Sequence, residues 1–171
     1  IMKKQVLYII TGLPYSGKTT LTEELIKKSG YATTSVDEFL YKGKFVIKKM
    51  TQNDWNDVYS QAFKKLKKLL TKGNSVIFDG GSLLRSERDT IKNISNKCNV
   101  PYKLIYVNTS KEEIKKRWLK NQKLKNRGHV EEKTLNKAIK MFEKPGVDEN
   151  ALIYKYPANL SDWIKRNLIW V

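Results

Sequence analysis

The chain has 171 residues, 40% of them apolar and 30% charged, a composition of one globular domain rather than of a disordered or fibrous chain. Lysine and arginine outnumber aspartate and glutamate by 34 to 17, and the resulting net charge of +17 attracts polyanions while saying nothing about the fold. The single cysteine, Cys98, and single histidine, His129, exclude an internal disulfide framework, cysteine-based zinc sites and His-rich metal sites.

Few residues precede the first apolar run, and Lys3-Lys4 followed by so short a hydrophobic stretch does not have the form of a secretory signal. No apolar run approaches the ~18 residues of a membrane span. A cytoplasmic protein without a membrane anchor is expected. The run itself, Gln5–Thr11 (QVLYIIT), is continuously hydrophobic, as in a strand covered on both faces. It leads into Gly12-Leu13-Pro14-Tyr15-Ser16-Gly17-Lys18-Thr19, a full match to G-x-x-x-x-G-K-[ST]. The glycines let successive N–H groups converge on phosphate oxygens, and the helix over Lys18–Lys28, stopped by Gly30, aims its positive end at the same phosphates. Lys18 has the reach for the β- and γ-phosphates, and the Thr19 hydroxyl suits Mg²⁺. ATP contacts are expected from Gly12, Pro14, Tyr15, Ser16, Gly17, Lys18, Thr19 and Thr20.

A second strand, Ala32–Val36, ends beside Asp37 and Glu38. An acceptor hydroxyl needs a carboxylate to orient it and take its proton, and Asp37 is the candidate base; the competing reading makes it the N-cap of a Glu38–Tyr41 turn. Phe39–Lys49 (FLYKGKFVIKK) then interleaves three aromatics with four lysines, a pattern of single-strand binding or of an ordinary amphipathic segment. Thr51–Lys72 is a helix whose apolar stripe runs from Trp55 to Leu70, with lysines opposite and Gly73 after its end.

The third strand, Ser75–Asp79 (SVIFD), precedes Gly80-Gly81. Ligands of open parallel sheets bind beyond the strands' carboxyl ends, so Asp79 is a second candidate Mg²⁺ group. Arg85 and Arg88 follow, either clamping an anionic acceptor or pairing with Glu87 and Asp89, and a short helix spans Glu87–Asn96. After the fourth strand, Tyr102–Asn108, Ser110-x-x-Glu113 reads as a capping box opening a helix that carries Arg117. The polar stretch Lys123–Val130, with Arg127, separates it from a helix over Glu132–Phe142 and has the character of a lid, about residues 121–132. A fifth strand, Ala151–Tyr154, and a helix capped by Ser161 complete the chain.

Buried strands alternating with helices specify a parallel sheet with right-handed crossovers in an open α/β sandwich, and nothing divides residues 1–171 into two domains.

These residues resemble a family: the small P-loop kinases related to phage polynucleotide kinase, the chloramphenicol phosphotransferases and the zeta-toxin group. The resemblance spans residue 5 to about 145 and rests on GLPYSGKTT, Asp37, SVIFDGGSLLRSERD and the NRGHVEEKTL…MFEKP segment. It implies a three-layer α/β/α P-loop fold with a five-stranded parallel, adenylate-kinase-like sheet and a small lid. It also implies ATP with Mg²⁺ as donor and a hydroxyl as acceptor. Asp37 then corresponds to the acceptor-side base, and Arg127 with Arg117 to lid arginines at the phosphates. Tyr15 departs from the family's usual Gly, which would bring a phenol towards the acceptor or over the phosphates, and Gly80-Gly81 is a second departure. Three readings follow: a kinase of a polynucleotide 5′-hydroxyl, a kinase of a small hydroxyl compound, and a non-catalytic nucleotide-binding domain.

Overall fold

The computed structural model describes residues 4–124 and 130–168. Its elements are β1 (Leu7–Thr11), α1 (Lys18–Ser29), β2 (Ala32–Thr34), α2 (Val36–Lys42), α3 (Gln52–Thr71), β3 (Val76–Asp79), α4 (Arg85–Lys97), β4 (Tyr102–Asn108), α5 (Lys111–Leu124), α6 (Glu132–Met141), β5 (Leu152–Lys155) and α7 (Leu160–Asn167). The strands form one parallel sheet in the order β2-β3-β1-β4-β5. Each crossover passes over a face of the sheet, and the central strand β1 is buried along its whole length, while the edge strands β2 and β5 are partly exposed.

Alternation along β1 sorts the core. Leu7 and Ile9 pack with Val58, Leu66 and Leu70 of α3 and Ile91 of α4, whereas Tyr8 and Ile10 pack with Leu21 and Leu25 of α1 and Ile164 of α7. A third cluster lies outside both layers: Leu13 and Tyr15 of the phosphate loop against Ile114 of α5 and Leu135 of α6. The three-layer fold expected from the family resemblance is therefore present.

Four local expectations are revised. β2 ends at Thr34, because Ser35 caps α2 by accepting a hydrogen bond from the Glu38 N–H; Val36 is buried as a helical residue, and Asp37 is not the cap. α4 starts at Arg85 rather than Glu87, since the Glu87 carboxylate reaches back to the Leu84 N–H. Ser110 accepts from the Glu113 N–H, but the Glu113 carboxylate accepts from Arg117 Nε instead of closing a capping box. Asn159, rather than Ser161, caps α7. Among the described residues no helix is long and apolar enough to cross a membrane.

Candidate functional site

β1 delivers the chain into Gly12 at φ +153°, Tyr15 at +63° and Gly17 at +107°. A Cβ on Gly12 would stand 2.8 Å from the Val107 carbonyl oxygen and 2.9 Å from Ser16 Oγ, so that approach admits only glycine. Protein groups fasten the loop at its carbonyl oxygens. Lys18 Nζ donates to the Gly12 and Leu13 oxygens at 2.8 and 2.9 Å. Arg117 Nη1 donates to those of Tyr15 and Ser16, both at 3.1 Å, and Thr109 Oγ1 to that of Ser16 at 2.7 Å. Peptide N–H groups oppose their carbonyls, so gripping the carbonyls helps to hold the loop as an anion cradle at the start of α1. Ser16 Oγ is buried without a protein partner among the described residues. An orphaned hydroxyl inside the loop is the kind of group a bound phosphate oxygen satisfies.

Two carboxylates face this loop from neighbouring strand ends. Asp79 closes β3, and its Oδ2 accepts from Thr22 Oγ1 of α1 at 3.0 Å. Asp37 lies in the first turn of α2 and is exposed. Neighbouring protein groups displace enough water to raise its carboxyl above the ordinary value of 3.8; the charge of Asp79 adds to the rise and that of Lys18 opposes it. Lys18, Asp37 and Asp79 thus share one electrostatic neighbourhood although 19 to 61 residues separate them. Glu38, beside Asp37, is already engaged. Burial works against its charge, but hydrogen bonds from Lys42 and Lys65, each 2.6 Å, hold its carboxyl below the usual range. The exposed Thr19 hydroxyl and Asp79 are oxygen donors of the kind that suit Mg²⁺ bound mainly by phosphate and water. A protein cage is a different matter: no cluster of three or more His, Cys, Asp or Glu is placed for one among the described residues.

The arginines divide sharply. Arg88 has 0% exposure: its guanidinium grips Glu149 at 2.8 and 2.7 Å, and Nη1 also donates to the Ser82 and Leu83 oxygens. An arginine sealed this way cannot clamp an acceptor, which corrects the expectation for Arg88. It is a brace beneath the Gly80–Leu83 turn, a turn that Thr11 Oγ1 also holds through the Gly81 and Ser82 oxygens. Arg85 is half-exposed and bound to Asp148 at 2.5 Å, with Asp89 at 3.6 Å. Both arginines reach the segment before β5, rather than Glu87. Arg117 lies under the phosphate loop. Arg127 and His129 fall outside the described residues.

Tyr15 neither points at an acceptor nor covers phosphate. Only 7% exposed, it is packed among Leu13, Ile114 and Leu135, and its hydroxyl accepts from Asn121 Nδ2 of α5 at 3.3 Å. Its positive φ explains the glycine usual in relatives, and the buried ring offsets that strain.

Sequence reasoning missed the other wall. A cleft of about 450 Å³ beside Ser16, Gly17 and Thr20 is lined by Arg117 and Lys120 of α5 and by Tyr154, Tyr156 and Leu160 around the β5–α7 turn. The Arg117 guanidinium lies 4.3 Å from the centre of the Tyr156 ring. A planar cation next to an apolar recess, one step from the phosphate loop, is suited to a nucleobase.

Comparison with known proteins agrees with this geometry. The family model described as "AAA_33: AAA domain" matches residues 7–145. The chain belongs to that family. No curated protein matches in sequence. Among solved structures, an unliganded sugar kinase from Janibacter sp. HTCC2649 superposes with a TM-score of 0.68 at 19% identity, covering 98% of this chain and 94% of its own. Kti12 of Chaetomium thermophilum in complex with ADP-AlF3 gives 0.69 at 16% identity, covering 92% and 93%. A chain of the Pnkp1/Rnl/Hen1 RNA repair complex gives 0.67 at 20% identity, with 82% of this chain aligned to 45% of that one. This family member has the nucleotide-binding P-loop fold shared by these kinase-like structures.

Proposed function

We propose that the chain is an ATP-dependent phosphotransferase that moves the γ-phosphoryl group to an acceptor hydroxyl, with a polynucleotide 5′-hydroxyl as the favoured acceptor. The observation that carries this is an exposed Asp37, beyond the end of β2, that stands close enough to Lys18 of the phosphate loop and to Asp79 at the end of β3 to feel both charges. In this reading the base lies in the recess against the Arg117–Tyr156 pair, the phosphates lie in the loop, and the Lys18 ammonium exchanges its carbonyl contacts for the β- and γ-phosphates. The acceptor O–H gives its proton to Asp37 as its oxygen bonds to the γ-phosphorus, while the bond from that phosphorus to the β–γ bridging oxygen breaks and ADP leaves. Thr19 and Asp79 would hold Mg²⁺, which supplies charge neutralisation on the phosphates. Arg117 acts from beneath the loop, and Arg127 is assigned to the transferring group by its sequence position alone.

The net charge of +17 and the likeness to an RNA repair chain favour the polynucleotide. One observation favours a small hydroxyl compound: a second carboxylate, Asp79, acts on Asp37, an acidic neighbour that suits a neutral polyol better than a polyanion. Incubation with γ-labelled ATP against 5′-hydroxyl oligonucleotides, nucleosides and sugars separates these readings. Label is expected on the oligonucleotide, and Asp37→Asn should cut turnover by about 10²–10⁴-fold. Activity of that variant within a few-fold of the parent excludes Asp37 as base; ATP binding with no acceptor labelled points to a non-catalytic domain.

A further inference from the structure

In Phe39–Lys49 the rings and cations are partly engaged: Phe39 and Phe45 pack against the core, Lys42 bonds to Glu38 and Lys48 to Glu131, while Tyr41 is exposed. A second grouping of rings with cations lines a groove of about 560 Å³ between α3 and α4. Tyr59, Phe63 and Ile94 form its floor, each only partly buried, and Lys64, Lys67 and Lys97 stand exposed at its rim. None of these three lysines enters an ion pair among the described residues. The lysines flanking Asp37, in contrast, are committed to Glu38.

One end of the groove lies near Asp37. Tyr59 marks its upper end and donates to Glu87 at 2.7 Å. Burial first, then the charge of Glu87 and its hydrogen bond, raise the Tyr59 phenol, and the charge of Asp37 adds to the rise because it lies close by. The Glu38–Lys65 bond ties the turn carrying Asp37 to the middle of α3. From Asn56 to Lys67 the groove follows about 16 Å of helix. An apolar floor of partly exposed aromatic side chains, edged by cations outside any ion pair among the described residues, matches a strand whose bases are unpaired and whose backbone is anionic.

We propose that this α3–α4 groove is the track for single-stranded nucleic acid, holding bases over Tyr59 and Phe63 and phosphates at Lys64, Lys67 and Lys97, with the strand's terminal hydroxyl at Asp37. The location rests on the polynucleotide reading above, so its test includes a measurement that needs no phosphoryl transfer. A fluorescently labelled 5′-hydroxyl single strand is titrated with the full chain over a salt series, alongside the triple variant Lys64→Gln, Lys67→Gln, Lys97→Gln. Each phosphate contact contributes about −0.7 to the slope of log affinity against log salt for single strands, so the triple variant should lose about 2 from that slope. A matched triple variant on α6 (Lys133→Gln, Lys137→Gln, Lys140→Gln) should keep the parental slope. Phe63→Leu, which keeps an apolar group against the core, should weaken binding by up to about tenfold without altering the slope. In labelling assays KM should fall from nucleoside to longer strand in the parent and change little with length in the groove variant. Equal slope losses from both triple variants, duplex bound as tightly as single strand, or no binding at all would each overturn the groove assignment. Strand binding lost in the groove variant, but without label on any strand, would keep the track and overturn only the acceptor reading.

Discussion

The phosphate loop, Gly12–Thr19, and the turn after β3, Gly80–Leu83, follow neighbouring strands but are held in opposite ways. Lys18, Arg117 and Thr109 grip the phosphate loop through its carbonyl oxygens from the side on which ligands enter and from the neighbouring helix. The second turn is gripped from inside the protein, by Thr11 and by an arginine with no access to solvent. The grip on the phosphate loop includes the partly exposed Lys18, whereas the grip on the second turn comes from the fully buried Arg88. A loop that must adapt to an arriving phosphate is held by exchangeable bonds, and a turn that must keep Asp79 aligned is held by a buried ion pair. Arginine identity alone does not separate the two; burial and partner do.

The largest break in this contrast should come from Arg88→Met. Leaving Glu149 without its guanidinium is expected to lower unfolding free energy by about 3–5 kcal/mol, read from denaturant midpoints, with nucleotide affinity of the still-folded fraction unchanged. The same pair predicts an acid response. The Arg88 hydrogen bonds hold the Glu149 carboxyl down to about 2 against an ordinary 4.5, so its contribution is complete above 4.5 and lost as pH falls towards 2. Glu149→Gln should flatten the stability profile in that window. If the profile of Glu149→Gln matches the parent, the brace is not ionic.

A smaller effect is expected from pH on turnover. Because the Asp37 carboxyl is raised, kcat/KM should decline on the acid side at a pH above the ordinary carboxylate value of 3.8, and the residual activity of Asp37→Asn should lack that limb. On the donor side, Arg117→Leu removes contacts to two loop carbonyls and the stacking on Tyr156, and should weaken ATP binding by about tenfold, measured by calorimetry. The smallest change should follow Tyr15→Phe, about 1 kcal/mol or less of stability, since the ring stays packed and the hydroxyl reached by Asn121 is removed.

What could be read from residue order was whatever is local. Gly12, Gly17, Lys18 and Thr19 fall within one turn of chain, and an apolar run ending at Asp79 orients that side chain without knowledge of its neighbours. Arg88 could not be read, because Glu149 lies 61 positions away and nothing near Arg88 signals burial of a charge. Arg117 belongs to the loop by contacts spanning 101 and 102 positions, and Tyr156 enters the cleft only because β5 pairs with β4. Val36 misled for a physical reason: a Thr-Thr-Ser-Val run has strand character, but a serine able to cap outweighed it.

The buried pair has a consequence for where this fold can be cut. The family match ends at residue 145, four positions short of Glu149. A chain stopped there would keep every phosphate-loop residue and both aspartates of the cleft. Yet Arg88 and Lys92 would be enclosed as two cations facing each other with their shared anion gone, and the Tyr156 wall would be missing. The folded unit therefore extends past the motif-bearing segment, through Glu149 to β5 and the buried Ile164 of α7.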